Sequence, residues 1–181
     1  SYILATMATN GRLRLNNFNP DDLTFPLKIY QDMGLKIKKI SESSYEFSCK
    51  RLRPIKKIST KEFPGYPTDL QAQLIATQLK SALKSKVIEN IFENRFIHIP
   101  ELRRFGANLS IIGKTVTVHK ALNLFGAEVM ATDIRASFSL IIAAMMSKGT
   151  TVINRIYHLD RGYEDFDLKL KKCGVNISRK I

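Results

Sequence analysis

The chain of 181 residues has no tryptophan, only two cysteines, and no long apolar segment. Cys49 and Cys173 form no CxxC pair and have no histidine cluster beside them. This excludes a disulfide framework and the usual metal motifs, and two structural thiols in a reducing compartment are expected. No apolar run approaches the roughly 18 residues that span a bilayer, so no membrane contact is expected. The first residues lack a signal-peptide pattern, and we expect a cytoplasmic protein.

Acidic residues are also scarce: 16 Asp and Glu stand against 29 Lys and Arg, giving a formal net charge of +13. Between Lys36 and Lys61 there are nine basic residues and two acidic ones. Such a charge permits a nucleic-acid-binding module as one hypothesis. This segment contains only Tyr45 and Phe47 as aromatics, at alternating positions, so base-stacking platforms are missing. We favour a solvated basic face that suits anionic small substrates, with no nucleic-acid partner.

Related motifs recur along the chain, which indicates internal repeats. The segment Pro67–Ala72 (PTDLQA) resembles Ala131–Ala136 (ATDIRA), which lies 64 residues later. Three glycines also follow a helical pattern and precede an alternating one, and glycine suits the left-handed residue that closes a helix. These are Gly34, Gly106 and Gly174. Two and a half copies of about 65–70 residues predict one pseudo-threefold domain over residues 1–181. The predicted units cover approximately residues 1–61, 62–125 and 126–181.

Each unit is predicted as helix, strand, loop, helix and strand, which makes the fold class α/β. In the second unit the helices are predicted from Thr68 to about Lys84 and from Pro100 onward. Its strands are predicted at 86–89, 108–112 and 115–119. The helix of the third unit, Ala136–Met146, has almost no polar face and must be surrounded by protein. We therefore predict buried helices and outer sheets that face solvent on one side.

The first eight residues have the pattern of the first unit's helix, but no Thr-Asp pair precedes them. The other two copies of this helix each follow such a pair. The pattern therefore predicts that helical geometry starts at about Ile3 and that the chain is a fragment of a longer protein.

The familiar nucleophile, zinc and nucleotide-binding motifs are absent, and no metal is expected. Loops that combine carboxylates with guanidinium groups are present instead. Asp69 and Asp133 occupy equivalent repeat positions, and Arg95 and Arg161 lie in equivalent loops. A threefold array would bring these four groups to one end of the domain. Arginine pairs bind carboxylate or phosphate, and a desolvated Asp can move a proton, so a polyanionic substrate and proton transfer are predicted.

The same residues also have plainer interpretations. Asp69 at a helix start is most often a simple N-cap. Arg95 could pair with Glu93 and do nothing more. His98 and His158 flank these loops, where packing at a helix end is the simpler role. On the residues alone these alternatives stay open.

Four motifs carry a resemblance to a known family. PGYPTDLQAQL, ENIFENRFIHIPELRRFGA, GAEVMATDIRAS and RIYHLDRGYEDF resemble signatures of the UDP-N-acetylglucosamine 1-carboxyvinyltransferases. These enolpyruvyl transferases begin peptidoglycan precursor synthesis, and the resemblance covers the whole chain. It implies an inside-out α/β barrel of enolpyruvyl transferase type, built from three related units. The chain would be most of the C-terminal domain of a two-domain enzyme.

The resemblance also implies roles for individual residues. Asp69 matches the carboxylate that contacts the sugar 3′-hydroxyl and is proposed as its general base, with Thr68 beside it. Ile91 matches a position whose backbone contacts the sugar nucleotide, and Phe92 lies next to it near the uracil. The substrates implied are UDP-N-acetylglucosamine and phosphoenolpyruvate.

The same resemblance implies no metal or organic cofactor, and it implies roles for three further residues. Asp133 matches an active-site carboxylate, and Arg95 and Arg161 match arginines around phosphoenolpyruvate. The reactive cysteine of the family lies on a loop of the other domain, and neither Cys49 nor Cys173 matches it. We therefore expect this chain to be inactive without the N-terminal domain. The related enzymes that use shikimate 3-phosphate are the alternative, against which the third-unit motif RIYHLDRGYED speaks.

Overall fold

Seven helices and nine strands alternate along the chain in the computed structural model, which describes residues 1–81 and 83–180. The helices are α1 (Tyr2–Ala8), α2 (Thr24–Asp32), α3 (Gln71–Thr77), α4 (His98–Arg104), α5 (Ile134–Met146), α6 (Tyr157–Asp160) and α7 (Phe166–Lys172). The strands are β1 (Arg12–Leu15), β2 (Lys36–Lys39), β3 (Tyr45–Ser48), β4 (Lys57–Ser59), β5 (Ser85–Ile88), β6 (Leu109–Ile112), β7 (Thr115–Val118), β8 (Glu128–Met130) and β9 (Val152–Asn154). This order confirms the predicted α/β class.

Helices α1, α3 and α5 form the centre of the protein and contact one another. Every residue of α3 is buried, and in α5 the side chains of Phe138, Leu140 and Ile142 are fully buried. A helix that is apolar on all sides is stable only when protein surrounds it. The buried helix predicted at Ala136–Met146 is therefore confirmed, and it begins two residues earlier.

The strands form three small sheets. The first has the strand order β1-β3-β2 and is antiparallel throughout. The second has the order β4-β5-β7-β6, in which only the β4–β5 pair is parallel. The third pairs β8 with β9 in parallel. All the strands predicted in the second unit are present to within a residue or two.

Strand β7 corrects one expectation. The alternation Val116-Thr117-Val118 predicts a strand with one solvated face, but all three residues are buried. β7 lies between two antiparallel neighbours, and the register places Lys86 and Ser110 on either side of Thr117. Cross-strand side chains on the same face stand close enough to cover a small residue. In β5, which also has two neighbours, buried positions alternate with more exposed ones.

Two helix boundaries differ from the predicted ones. The predicted helix 68–84 is a 3₁₀ turn at Thr68–Leu70, then α3, then a second 3₁₀ turn ending at Lys80. Beyond it the Ser81 hydroxyl donates to the Leu83 carbonyl oxygen, a local bond that competes with continued helix. Helix α4 begins at His98 rather than at Pro100. Proline remains acceptable there because the N–H groups of a helix's first turn have no partner within the helix.

The three repeated glycines follow α2, α4 and α7, and all have left-handed backbone angles. Their φ values are +106° at Gly34, +86° at Gly106 and +89° at Gly174. This confirms the predicted helix closures.

Helix α1 begins at Tyr2, close to its predicted start. Within the described part of the chain, no helix combines the length and the apolar composition needed to cross a membrane.

Candidate active site

The carboxylate of Asp69 lies between two guanidinium groups that come from distant parts of the chain. Its Oδ1 accepts hydrogen bonds from Nε of Arg135 at 2.5 Å and from Nη2 of Arg95 at 3.3 Å. Asp69 is within the 3₁₀ turn before α3, and no side chain caps that helix. The capping interpretation of Asp69 is therefore wrong. With 65% of its side chain exposed, Asp69 remains accessible to a substrate.

Asp133 has the capping role instead. Its backbone is extended, and its Oδ1 accepts from the N–H groups of Arg135 at 2.8 Å and Ala136 at 3.0 Å. These bonds satisfy two donors at the start of α5. Because α5 begins here, the same turn projects the Arg135 side chain toward Asp69. The two aspartates at equivalent repeat positions thus differ in role, because Asp133 caps a helix and Asp69 pairs with arginines.

Arg95 connects the two loops of this site. It follows Asn94, which has a left-handed φ of +52°. Its Nη1 donates to Oγ1 of Thr68 at 2.9 Å, and its guanidinium lies 4.3 Å from the centre of the Phe92 ring. Burial and the nearby charge of Arg135 lower the pKa of Arg95, and the Asp69 carboxylate opposes this. Arg95 thus pairs with Asp69, and the predicted alternative pair with Glu93 is not formed.

Glu89 organises the loop that carries Ile91 and Phe92. Its side chain is buried at the end of β5, and its Oε1 accepts from the N–H groups of both residues, at 2.9 Å and 3.2 Å. Its Oε2 accepts from the Thr68 hydroxyl at 2.8 Å. The loop's Phe92 is left 55% exposed, beside the site. Sequence reasoning missed Glu89 as well as Arg135, although both lie inside the quoted motifs.

Arg161 lies in the turn after α6 and is exposed. Among residues 1–81 and 83–180 its side chain makes no hydrogen bond or ion pair, and its neighbour Asp160 pairs with Arg179. A Cβ atom at Gly162 would lie 2.4 Å from the side chain of Ile134, so this turn packs against the start of α5. The structure therefore joins Asp69, Arg95 and Arg135, while the role of Arg161 stays a prediction.

A small cavity lies behind this cluster, between α3, α4 and α5. Its lining includes Thr68, Gln71, His98, Asp133 and Arg135. His98 is almost completely buried, and its Nε2 has no hydrogen-bond partner among the described residues. Burial lowers the pKa of His98 to about 4, and the charge of Asp133 only partly opposes this. The imidazole is therefore neutral at pH 7 and packs at the start of α4.

A wider cleft of about 500 Å³ opens on the other side of Arg95 and includes Phe92, Ile97 and Lys114. Its mixture of apolar and charged side chains is typical of a small-molecule site. Within the described ranges, no three His, Cys, Asp or Glu side chains are grouped so as to hold a metal ion. Cys49 is buried, which raises its thiol pKa, and Cys173 is exposed at the end of α7.

The family model and the curated relatives that this chain matches are all described as carboxyvinyltransferases. Residues 1–170 match the family model described as EPSP synthase (3-phosphoshikimate 1-carboxyvinyltransferase). Two curated relatives, from Pelagibacter ubique and Campylobacter lari, are named UDP-N-acetylglucosamine 1-carboxyvinyltransferase and are each 44% identical over 99% of this chain. The chain spans 43% of the length of either protein. The resemblance carried by the motifs is thereby confirmed.

Solved structures show the same fold. The enolpyruvyl transferase NikO from Streptomyces tendae superimposes with a TM-score of 0.86 at 25% identity, covering 98% of this chain and 42% of its own. An EPSP synthase from Acinetobacter baumannii gives a TM-score of 0.69 at 14% identity, over 99% of this chain and 44% of its own. The second likeness is evidence for the fold alone. Together with the family model, these neighbours confirm an enolpyruvyl transferase type of α/β fold.

Proposed function

The chain belongs to the EPSP synthase (3-phosphoshikimate 1-carboxyvinyltransferase) family, and we propose that it provides the C-terminal part of an enolpyruvyl transferase acting on UDP-N-acetylglucosamine. The observation that carries this proposal is the Asp69 carboxylate held between Arg95 and Arg135. It brings a proton acceptor and two guanidinium groups, which bind carboxylate or phosphate oxygens, to one place. The names and identity of the curated relatives support the sugar nucleotide over shikimate 3-phosphate.

In the proposed reaction the sugar 3′-hydroxyl adds to C2 of phosphoenolpyruvate while C3 takes a proton. The resulting tetrahedral adduct then loses phosphate from C2 and a proton from C3, which leaves an enolpyruvyl ether. Asp69 accepts the hydroxyl proton as general base. Both arginine hydrogen bonds end on Oδ1, so they hold that oxygen in place and leave Oδ2 for the substrate hydroxyl.

The remaining residues bind the two substrates in this proposal. Arg95 and Arg161 face phosphoenolpyruvate, where guanidinium groups match carboxylate and phosphate oxygens. Asp133 fixes the start of α5 and adds a second carboxylate to the reacting region. Thr68, with the backbone of Ile91 and the ring of Phe92, contacts the sugar nucleotide. The N–H groups of Ile91 and Phe92 are already bound by Glu89, whereas the Ile91 carbonyl oxygen accepts no hydrogen bond from the described residues.

The proposal includes the finer architecture. The domain is an inside-out α/β barrel of three units, at approximately 1–61, 62–125 and 126–181. The packing of α1, α3 and α5 against one another and the three small sheets support this arrangement. Pairing of β4 with β5 joins the first two units at their boundary. The N-terminal domain supplies the missing substrate ligands and the reactive cysteine, and the enzyme begins peptidoglycan precursor synthesis in the cytoplasm.

The test compares the protein at its full encoded length with residues 1–181 alone. Phosphate release from phosphoenolpyruvate is measured with UDP-N-acetylglucosamine and, separately, with shikimate 3-phosphate. We expect release with the sugar nucleotide only, and none from residues 1–181, because an incomplete and open site loses the alignment of its groups. Preference for shikimate 3-phosphate would overturn the substrate assignment. Turnover by the isolated chain would overturn the need for the other domain.

The nucleic-acid alternative is tested by titration with a DNA oligomer. Its strongest support is the exposed basic segment that contains Lys50, Arg51, Arg53, Lys56 and Lys57. Counterion release gives a true binder about one unit of log-affinity slope in salt for each phosphate contacted. We expect weak association that disappears near physiological ionic strength. Sub-micromolar binding there, lost on substituting these residues, would favour the alternative.

A further inference from the structure

Glu89 is a buried carboxylate, and each of its two oxygen atoms accepts hydrogen bonds from a different loop of the candidate site. Only 1% of the residue is exposed, and it forms no ion pair among the described residues. A buried charge is costly unless hydrogen bonds replace its hydration. Here four do so: from the hydroxyls of Thr60 and Thr68 and from the N–H groups of Ile91 and Phe92.

The Oε1 atom holds the first loop. It accepts from the Ile91 and Phe92 N–H groups and from the Thr60 hydroxyl at 2.8 Å. Thr60 in turn accepts from the N–H of Asn90 at 2.8 Å. Three consecutive N–H groups outside any helix or strand are thus bound by one carboxylate oxygen and one hydroxyl. This fixes the backbone that presents Ile91 and Phe92.

The Oε2 atom controls the second loop through Thr68. A threonine hydroxyl has one proton and two lone pairs. Because Thr68 donates its proton to Glu89, its lone pairs face the Nη1 of Arg95 at 2.9 Å. Arg95 then reaches Asp69. The Glu89 carboxylate therefore fixes the direction of both hydrogen bonds: Thr68 donates to Glu89 and accepts from Arg95.

We propose that Glu89 is a positioning residue for both substrates: Oε1 orients the loop that contacts the sugar nucleotide, and Oε2, through the Thr68 hydroxyl, orients Arg95 toward phosphoenolpyruvate. This inference rests on the proposed function for the identity of the substrates. The hydrogen-bond network itself stands on geometry alone.

Two substitutions, made in the protein at its full encoded length, separate the two arms of this network. One arm runs from Oε1 to Ile91 and Phe92, and the other from Oε2 through Thr68 to Arg95. In Glu89→Gln the amide oxygen can replace Oε1, but the amide nitrogen facing Thr68 donates and cannot accept. We expect the KM for phosphoenolpyruvate to rise about ten-fold, the loss typical of one hydrogen bond to a charged group, with the KM for the sugar nucleotide within two-fold. Glu89→Ala removes both arms, and both KM values should rise. Glu42→Gln, in the exposed turn between β2 and β3, is the matched control and should change neither.

A double-mutant cycle with Thr68→Val distinguishes positioning from general destabilisation. Both single changes break the same arm, so Glu89→Gln combined with Thr68→Val should be no worse for phosphoenolpyruvate than Thr68→Val alone. Thr68→Ser keeps the hydroxyl and should restore the wild-type KM. Additive effects in the cycle, or a lower melting temperature with unchanged KM values, would overturn the proposal.

Amide hydrogen exchange in the unaltered protein tests the network without relying on activity or on any variant. The Ile91 and Phe92 N–H groups should exchange much more slowly than that of Glu93, which has no hydrogen-bond partner among the described residues. Equally fast exchange at all three would contradict the positioning role even if the enzyme is active. Protection without any transferase activity would instead leave the network intact and overturn the proposed function.

Discussion

The Nε atom of Arg135 lies 2.5 Å from Oδ1 of Asp69, although 66 positions separate the two residues in sequence. Both stand at the start of repeated helices, α3 and α5. Arg135 occupies the repeat position that Gln71 has in the earlier copy. Arg135 can therefore form an ion pair with an aspartate, whereas the uncharged Gln71 at the equivalent position cannot. With Arg95 as the second partner, two guanidinium groups contact the same carboxylate oxygen, and their remaining N–H groups can bind an anionic substrate.

Asp69→Asn is expected to slow catalysis without unfolding the protein. The amide keeps the shape of the side chain but cannot accept the substrate proton, so kcat should fall by about 10²–10⁴ with smaller changes in KM. Because Asp69 caps no helix and its own side chain is 65% exposed, the free energy of unfolding should change by only about 1 kcal/mol. Steady-state kinetics and thermal melting of the protein at its full encoded length measure both. A stably folded Asp69→Asn enzyme with near-normal kcat would exclude the general-base role.

Asp133 should respond differently to two substitutions, because it caps α5. Asn caps a helix about as well as Asp, so Asp133→Asn should leave the melting temperature nearly unchanged. Asp133→Ala leaves two N–H groups at the helix start unpaired and should cost about 1 kcal/mol, or roughly 2–4 °C in melting temperature. If the two variants melt alike, capping is not the structural role of Asp133. Activity lost in Asp133→Asn at wild-type stability would indicate a direct part in the reaction.

Much of the fold could be predicted because its signals are local. The apolar sequence of α5 requires burial wherever the helix lies, and the glycines after α2, α4 and α7 indicate left-handed closures from their positions alone. Equivalent repeat positions also indicated that Asp69 and Arg95 would approach each other. These predictions depend on periodicity and symmetry, which a sequence displays directly.

The exact contacts of the site could not be predicted in the same way. Asp69 and Asp133 have similar local sequences, but Thr68–Leu70 forms a 3₁₀ turn and moves Asp69 away from a capping position. Glu89 acquires its role from Thr60 and Thr68, which lie 29 and 21 residues away. Such hydrogen bonds depend on backbone angles and on long-range packing. No spacing within the motif ENIFENRF specifies them.

Gly34 and Gly174 provide a matched pair for testing the left-handed helix closures. Both have positive φ, and an alanine in that conformation costs about 1–2 kcal/mol. At Gly34 the added Cβ would also lie 2.5 Å from the Arg51 carbonyl oxygen, whereas nothing lies within 4 Å at Gly174. We expect Gly34→Ala to lower the free energy of unfolding by about 2–4 kcal/mol and Gly174→Ala by about 1 kcal/mol. Urea denaturation compares them, and equal losses would show that the contact with Arg51 relaxes freely.

His98 should make the protein's stability depend on pH in the mildly acidic range. Its pKa falls from the ordinary 6.5 to about 4 because folding buries the imidazole. Between these two values the unfolded chain binds a proton that the folded chain does not, so protonation favours unfolding. The stabilisation that the neutral imidazole gives is therefore complete above pH 6.5 and is lost as the pH falls toward 4. Its size is about 3 kcal/mol from the shift in pKa.

Carboxylates titrate in part of the same range, so the effect of His98 must be isolated by difference. His98→Gln has no group that titrates there, and its free energy of unfolding should fall less than that of the wild type between pH 6.5 and 4.5. Urea denaturation at several pH values provides the comparison, and the difference measured at pH 8 gives the cost of the substitution itself. NMR titration of the His98 ring reports its folded-state pKa directly. Identical pH dependence in the two proteins, or a ring that titrates near 6.5 while the protein is folded, would show that His98 is accessible to water rather than buried behind Asp133.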